Sequence, residues 1–187
     1  AFRGRGVSYC ATCDGMFYRG KRVFIIGGGN SAVEEALYLS NIASSVELVV
    51  RRDEFRASRG MADRLLAREN ISVRYQTSIT DVEGGTFINA ITFRDNATGE
   101  THVERFDEGS VGIFVAVGHD PATALVEPLV DLGADGGVLT DDGMATRTPG
   151  LFCAGDMRSK TLRQVITAAS DGAIAAMSAY QYIEQHN

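Results

Sequence analysis

The segment Val23-Phe24-Ile25-Ile26-Gly27-Gly28-Gly29-Asn30-Ser31-Ala32 restricts the folding of this chain more than any other. Four consecutive apolar residues read as a short strand buried on both faces. The glycines that follow permit a turn too tight for residues bearing a Cβ. From Asn30 onward, Ala32, Val33, Ala36, Leu37, Leu39 and Ser40 share one broad helical face, with Glu34 and Glu35 expected to turn outward. Val46-Glu47-Leu48-Val49-Val50 reads as the next strand. Residues 22–50 therefore spell strand, glycine turn, helix, strand, and such a crossover is parallel and right-handed.

The turn carries chemistry as well as shape. Gly27, Gly29 and Ala32 fit G-x-G-x-x-G/A, a weak signal alone but a strong one between a strand and a helix. Gly27 permits the turn, Gly29 lets a pyrophosphate approach the backbone, and Ala32 allows close helix–strand packing. Asn30 and Ser31 open the helix, whose free N–H groups favour phosphate. The segment thus reads as a dinucleotide site. Where such a site takes NAD, an acid ends the second strand and binds the ribose 2′-hydroxyl. Here Val50 is followed by Arg51 and Arg52, then Arg56 and Arg59. Forked guanidinium groups match a 2′-phosphate, so the pattern favours NADP(H). The competing reading is a solvated helix face, since Asp53 and Glu54 dilute the arginines.

Cys10-Ala11-Thr12-Cys13-Asp14 is a C-x-x-C backed by an acid. A structural zinc site needs four ligands, and only Cys153 and three scattered histidines remain. Covalent haem attachment needs His where Asp14 stands. A redox dithiol and a pair of inert buried thiols are left, and the neighbouring nucleotide motif favours the dithiol. Asp14 cannot stabilise a thiolate by charge, but it can exchange protons with one. Cys153, inside Leu151-Phe152-Cys153-Ala154, reads as core.

The remaining chain divides by pattern. Met61, Leu65, Leu66 and Ala67 predict a short helix, and residues 71–75 a strand. Residues 86–95 and 100–106 predict a hairpin around Asn96-Ala97-Thr98-Gly99, and residues 112–118 another buried strand. Residues 133–150 read as loops and 151–154 as a strand. A final helix has an apolar stripe through Leu162, Val165, Ile166, Ala169, Ala173, Ala176, Tyr180 and Ile183, expected to pack on a sheet. A chain crossover within 112–121 divides residues 1–115 from 116–187. Apolar residues at 44% suffice for a core, while the net charge of −6 argues against nucleic acid or an anionic membrane as partner. No apolar run approaches the roughly 20 residues of a membrane span.

Taken together, these motifs resemble low-molecular-weight, bacterial-type thioredoxin reductases, class II of the pyridine nucleotide-disulfide oxidoreductases. The similar segments are residues 6–15, residues 27–39, residues 51–57, and Thr148-Pro149-Gly150-Leu151-Phe152-Cys153-Ala154-Gly155-Asp156 with Arg163-Gln164. The resemblance implies an α/β protein: a Rossmann-like NADPH domain with a β-hairpin layer at 1–115, plus the C-terminal part of a second Rossmann-like FAD domain at 116–187. It implies Cys10 and Cys13 as the redox pair, with Asp14 as the proton-managing acid. Gly27, Gly29, Asn30, Ser31, Ala32, Arg51, Arg52 and Arg56 would bind NADPH, and Gly155, Asp156, Arg163 and Gln164 would contact FAD. Thioredoxin is the implied partner and a homodimer the implied form, while the few cysteines and the use of NADPH point to the cytoplasm. The family commonly has His at Val50 and often Ala at Val165. It also begins with an FAD-binding βαβ unit, so this chain is expected to be a fragment with little activity alone. The alternatives are a flavoprotein serving another disulfide and a non-catalytic redox-sensing module.

Overall fold

Parallel pairing organises the part of the chain that holds both motifs. The computed structural model describes residues 2–186 and separates into two compact units, Ala1–Gly118 and His119–Asn187. In the first unit, β1 (Val7–Ser8), β2 (Arg22–Ile26), β3 (Ser45–Val49), β4 (Ile71–Arg74) and β8 (Val111–Val115) form a sheet of order β1-β8-β2-β3-β4. Every pairing in it is parallel. The helices α2 (Asn30–Leu39) and α3 (Arg59–Leu66) link β2 to β3 and β3 to β4.

The unbroken apolar run of β2 follows from burial on both faces. Val23 and Ile25 join Leu48, Ala32, Val33, Ala36 and Leu39 in a core on the helical side. Phe24 points the other way, among Val49, Ile113, Ile88, Ile91 and Phe93. All three β2 side chains are fully buried, each stabilising the fold by about 1.5–3 kcal/mol.

The second face is covered by an antiparallel meander, β5 (Thr77–Gly84), β6 (Ile88–Asp95) and β7 (Thr101–Arg105), in the order β5-β6-β7. The predicted hairpin is its β6–β7 half. Strand β5 escaped the sequence reading because Thr77-Ser78-Ile79-Thr80-Asp81-Val82-Glu83-Gly84 buries little and breaks register at Ile79/Asp81 and Glu83/Gly84.

Two local expectations are corrected in the second unit. Residues 151–154 form no strand; they make a single bridge, Ala145 to Phe152. The final helix, α4 (Val165–His186), exists, but its stripe is not packed on a sheet: Val165 is 88% and Ile166 75% exposed. Among the described residues this unit has isolated bridges and three-residue helical turns, and its small core centres on Val130, Val138 and Cys153. Only Asp171 of α4 is buried.

Candidate functional site

Strand β1 is only two residues long, yet it positions the cysteine pair. Its pairing with β8 places Ser8 opposite Phe114, and Ser8 is buried. The Ser8 hydroxyl donates to the Asp14 carboxylate at 2.7 Å and accepts from the Cys10 N–H at 3.1 Å. Between them runs a single helical turn, α1 (Ala11–Asp14), capped by Cys10, whose sulfur accepts from the Cys13 N–H at 3.2 Å. Cys10 and Cys13 form a disulfide with their Cα atoms 5.3 Å apart. Cys13 is exposed and Cys10 half-buried. Burial pushes the Tyr18 phenol up, and the Asp14 charge adds to this. Ser8 was not legible as a site residue, because its two-residue strand is too short to show a pattern.

The glycine turn sits where the sheet order reverses, between β2 and β8, the position at which open α/β sheets bind ligands. Gly27 adopts φ +149°, and a Cβ there would run into the Ala116 carbonyl oxygen and reach within 2.9 Å of the Ala32 Cβ. A Cβ on Gly28 would lie 2.9 Å from Val50, so this valine forms the wall of the turn. A Cβ on Gly29 would meet nothing nearer than the Arg56 guanidinium at 4.0 Å, which leaves its backbone approachable. Gly29 caps α2, so Asn30, Ser31 and Ala32 form the first helical turn.

One cavity adjoins this turn. Gly27, Gly28, Arg51, Arg52 and Arg56 line it, together with Glu54, Val117 and the β5 residues Thr77, Ser78 and Ile79. The structure thus brings Arg51, Arg52 and Arg56 and two of the glycines to one opening, while Arg59 begins α3 outside it. Gly29, Asn30, Ser31 and Ala32 lie beside it on the helix start rather than in its lining. The arginine loop is fastened to the turn: Arg56 and Ala57 donate their N–H groups to the Gly28 carbonyl at 2.8 and 3.1 Å. The Asn30 side-chain oxygen accepts from the Ser58 N–H at 3.0 Å, so Asn30 holds the loop. The β5 lining residues were missed because that strand was not recognised.

In the second unit, Gly155 adopts φ +79° at the start of a helical turn, Gly155–Met157. Its N–H donates to the buried Asp171 carboxylate at 3.1 Å, which also pairs with Lys160 at 2.7 Å and Arg158 at 3.1 Å. Burial acts to raise Asp171, but Lys160, Arg158 and the Gly155 N–H hold it below the usual carboxylate range. Asp156 is exposed, and its carbonyl accepts from Arg163 at 3.2 Å. Arg163 also donates to Asp135 at 2.9 Å. Hydrogen bonds from Ser159, Arg163 and the Gly137 N–H hold Asp135 down at about 2. Gln164 is half-buried just before α4, its N–H donating to Thr167 at 3.1 Å.

Glu35 corrects the sequence reading of α2. Its Oε2 is buried with no hydrogen-bond partner among the described residues, and burial pushes its carboxyl up to about 7. It lies toward the edge of the apolar face, where helical periodicity alone does not separate a flanking residue from an outward one. Among the described residues, no group of three His, Cys, Asp or Glu side chains is arranged to hold a metal, and no helix is long and apolar enough to cross a membrane.

A dinucleotide-type turn and a disulfide lie together in one parallel-sheet unit. The chain belongs to the family described as pyridine nucleotide-disulphide oxidoreductase, whose model matches residues 1–172. It is 45% identical over 184 residues to a thioredoxin reductase of Peptoclostridium litorale, covering 97% of this chain and 58% of that protein. It is 44% identical over 183 residues to one of Treponema pallidum (strain Nichols), covering 98% and 58%. Among solved structures, thioredoxin reductase from Streptococcus pyogenes MGAS5005 matches with a TM-score of 0.89 and 39% identity, over 98% of this chain and 59% of that one. The chain therefore spans about 58% of the length of the curated relatives it matches.

Proposed function

We propose that the full-length protein is an NADPH-dependent thioredoxin-disulfide reductase, and that this chain supplies its NADPH site, its dithiol and part of its FAD site. The observation that carries the reading is a disulfide backed by an acid in the same unit as an arginine-rimmed cavity on a glycine turn. Arg51, Arg52 and Arg56 fit a 2′-phosphate, and the approachable Gly29 backbone with the start of α2 fits a pyrophosphate. Gly155, Asp156, Arg163 and Gln164 would hold FAD in the second unit. When bound, NADPH and FAD supply hydride transfer and a two-electron relay, chemistry that side chains lack.

The Cys10–Cys13 disulfide accepts an electron pair and two protons to become a dithiol. Asp14, held by the Ser8 hydroxyl at 2.7 Å, is the acid that would pass a proton to or from the thiol. The Cys10 thiolate attacks the thioredoxin disulfide, forming a mixed disulfide and releasing one partner thiolate. Cys13 then attacks Cys10, which frees the reduced partner and restores the starting disulfide. Tyr9, Met16 and Phe17, exposed at 59%, 55% and 74%, give this segment the apolar surface a protein partner needs. A cytoplasmic homodimer completes the proposal.

The test is NADPH-dependent thioredoxin reduction by the full-length protein and its Cys10→Ser and Cys13→Ser variants. Each variant should lose turnover while keeping NADPH affinity. Undiminished turnover in either would refute the dithiol mechanism.

A further inference from the structure

The loop that carries the arginines is held from two sides. On one side lies the glycine turn, through Gly28 and Asn30 as described. On the other, three consecutive loop carbonyls are each occupied. Val50 accepts from the Thr77 N–H at 3.0 Å, and Arg52 from the Gln76 N–H at 2.8 Å. Between them, Arg51 accepts from the Asn96 side-chain amide at 3.0 Å.

Asn96 belongs to the β6–β7 turn, 45 residues from Arg51 in sequence. It is itself fastened: its N–H donates to the Gln76 carbonyl at 2.6 Å, and its side chain exchanges hydrogen bonds with Ser78 at 3.0 and 3.1 Å. The turn behind it is set by Asp95, whose carboxylate accepts from the Ala97 and Thr98 N–H groups at 2.7 and 2.9 Å. Gln76 takes a left-handed φ of +47°, which presents its N–H to the loop and its carbonyl to Asn96. A non-glycine residue held in that region costs free energy that surrounding contacts must offset. Asn96 is exposed and contributes nothing to either core cluster.

We propose that Asn96, working with the Gln76 backbone, is a positioning residue for the arginine pair, so that the antiparallel sheet presets the geometry in which NADPH is told from NADH. This rests on the proposed reading of Arg51 and Arg52 as 2′-phosphate ligands. Exposed arginines on a free loop would lose conformational freedom when a ligand docks, and a loop already tied at successive carbonyls loses less. The gain falls on the 2′-phosphate alone, because the rest of the nucleotide is bound by the glycine turn and α2.

The experiment measures 2′,5′-ADP and 5′-AMP binding by calorimetry on the full-length protein, its Asn96→Ala variant and an Arg51→Ala/Arg52→Ala variant. Asn96→Ala should weaken 2′,5′-ADP about three- to tenfold, the worth of one hydrogen bond, and change 5′-AMP less than about twofold. The arginine variant should abolish the preference for 2′,5′-ADP. If it does so while Asn96→Ala keeps wild-type preference, or weakens both ligands equally, the positioning role is refuted. If the arginine variant keeps the preference, the underlying reading falls and this proposal with it. Because Asn96 is exposed and outside both core clusters of this unit, its variant is expected to fold and to melt only a few degrees below the wild type, about the loss of its side-chain hydrogen bonds.

Discussion

Glu35 gives the sharpest test of the physical reading of α2. Burial raises its carboxyl from an ordinary 4.5 to about 7, and no hydrogen bond to Oε2 from the described residues offsets the cost. At full effect such a shift disfavours the ionised form by about 3 kcal/mol. The residue is only partly buried, so solvent screening reduces this to about 1–2 kcal/mol. The sign follows from proton binding. Between pH 4.5 and about 7 the folded state keeps a proton that the unfolded chain has released, so stability falls as pH rises through that window. Above it the penalty is constant. Glu35→Gln is neutral throughout and escapes it. Urea denaturation followed by circular dichroism, at steps from pH 4.5 to 8, should show the variant's advantage growing by about 1–2 kcal/mol toward pH 8. An advantage that stays flat across the range would mean that Glu35 titrates as an exposed carboxylate, and the burial argument would fail.

Two further substitutions probe the scaffold. Gly27→Ala forces a Cβ toward the Ala116 carbonyl and the Ala32 methyl; it should cost about 1–3 kcal/mol in denaturation and abolish NADPH binding as read by nucleotide fluorescence. Phe24→Ala empties a fully buried site whose ring lies 5.3 Å from Phe93 and 5.8 Å from Phe106. It should lower stability by about 3–5 kcal/mol in the same urea assay, and a loss under about 1 kcal/mol would mean the two sheets do not share that core.

The parts legible in sequence were those encoded locally. The β2 run, the glycine turn and α2 occupy adjacent residues, so periodicity and backbone freedom suffice to find them. The same holds for the C-x-x-C pair, which the chain itself brings to a Cα separation of 5.3 Å. Strand β5 was not legible because its weak alternation acquires meaning only beside β6, with which it pairs along its length. Ser8 was hidden for a similar reason: its hydroxyl matters through Asp14, and its burial comes from pairing with a strand more than 100 residues away.

Sequence alone determined the glycine turn between strand and helix, the arginine cluster after the second strand and the closely spaced cysteine pair. Each depends on residue types at short spacing, where φ/ψ freedom, charge and side-chain reach are local properties. Tertiary structure decided which of these residues share an opening, that Asn30 and Asn96 hold the loop rather than merely adorn turns, and that one Glu35 carboxyl oxygen is shut away from water. Those outcomes turn on which distant segments pack together, and desolvation and long-range hydrogen bonding exist only once they have done so.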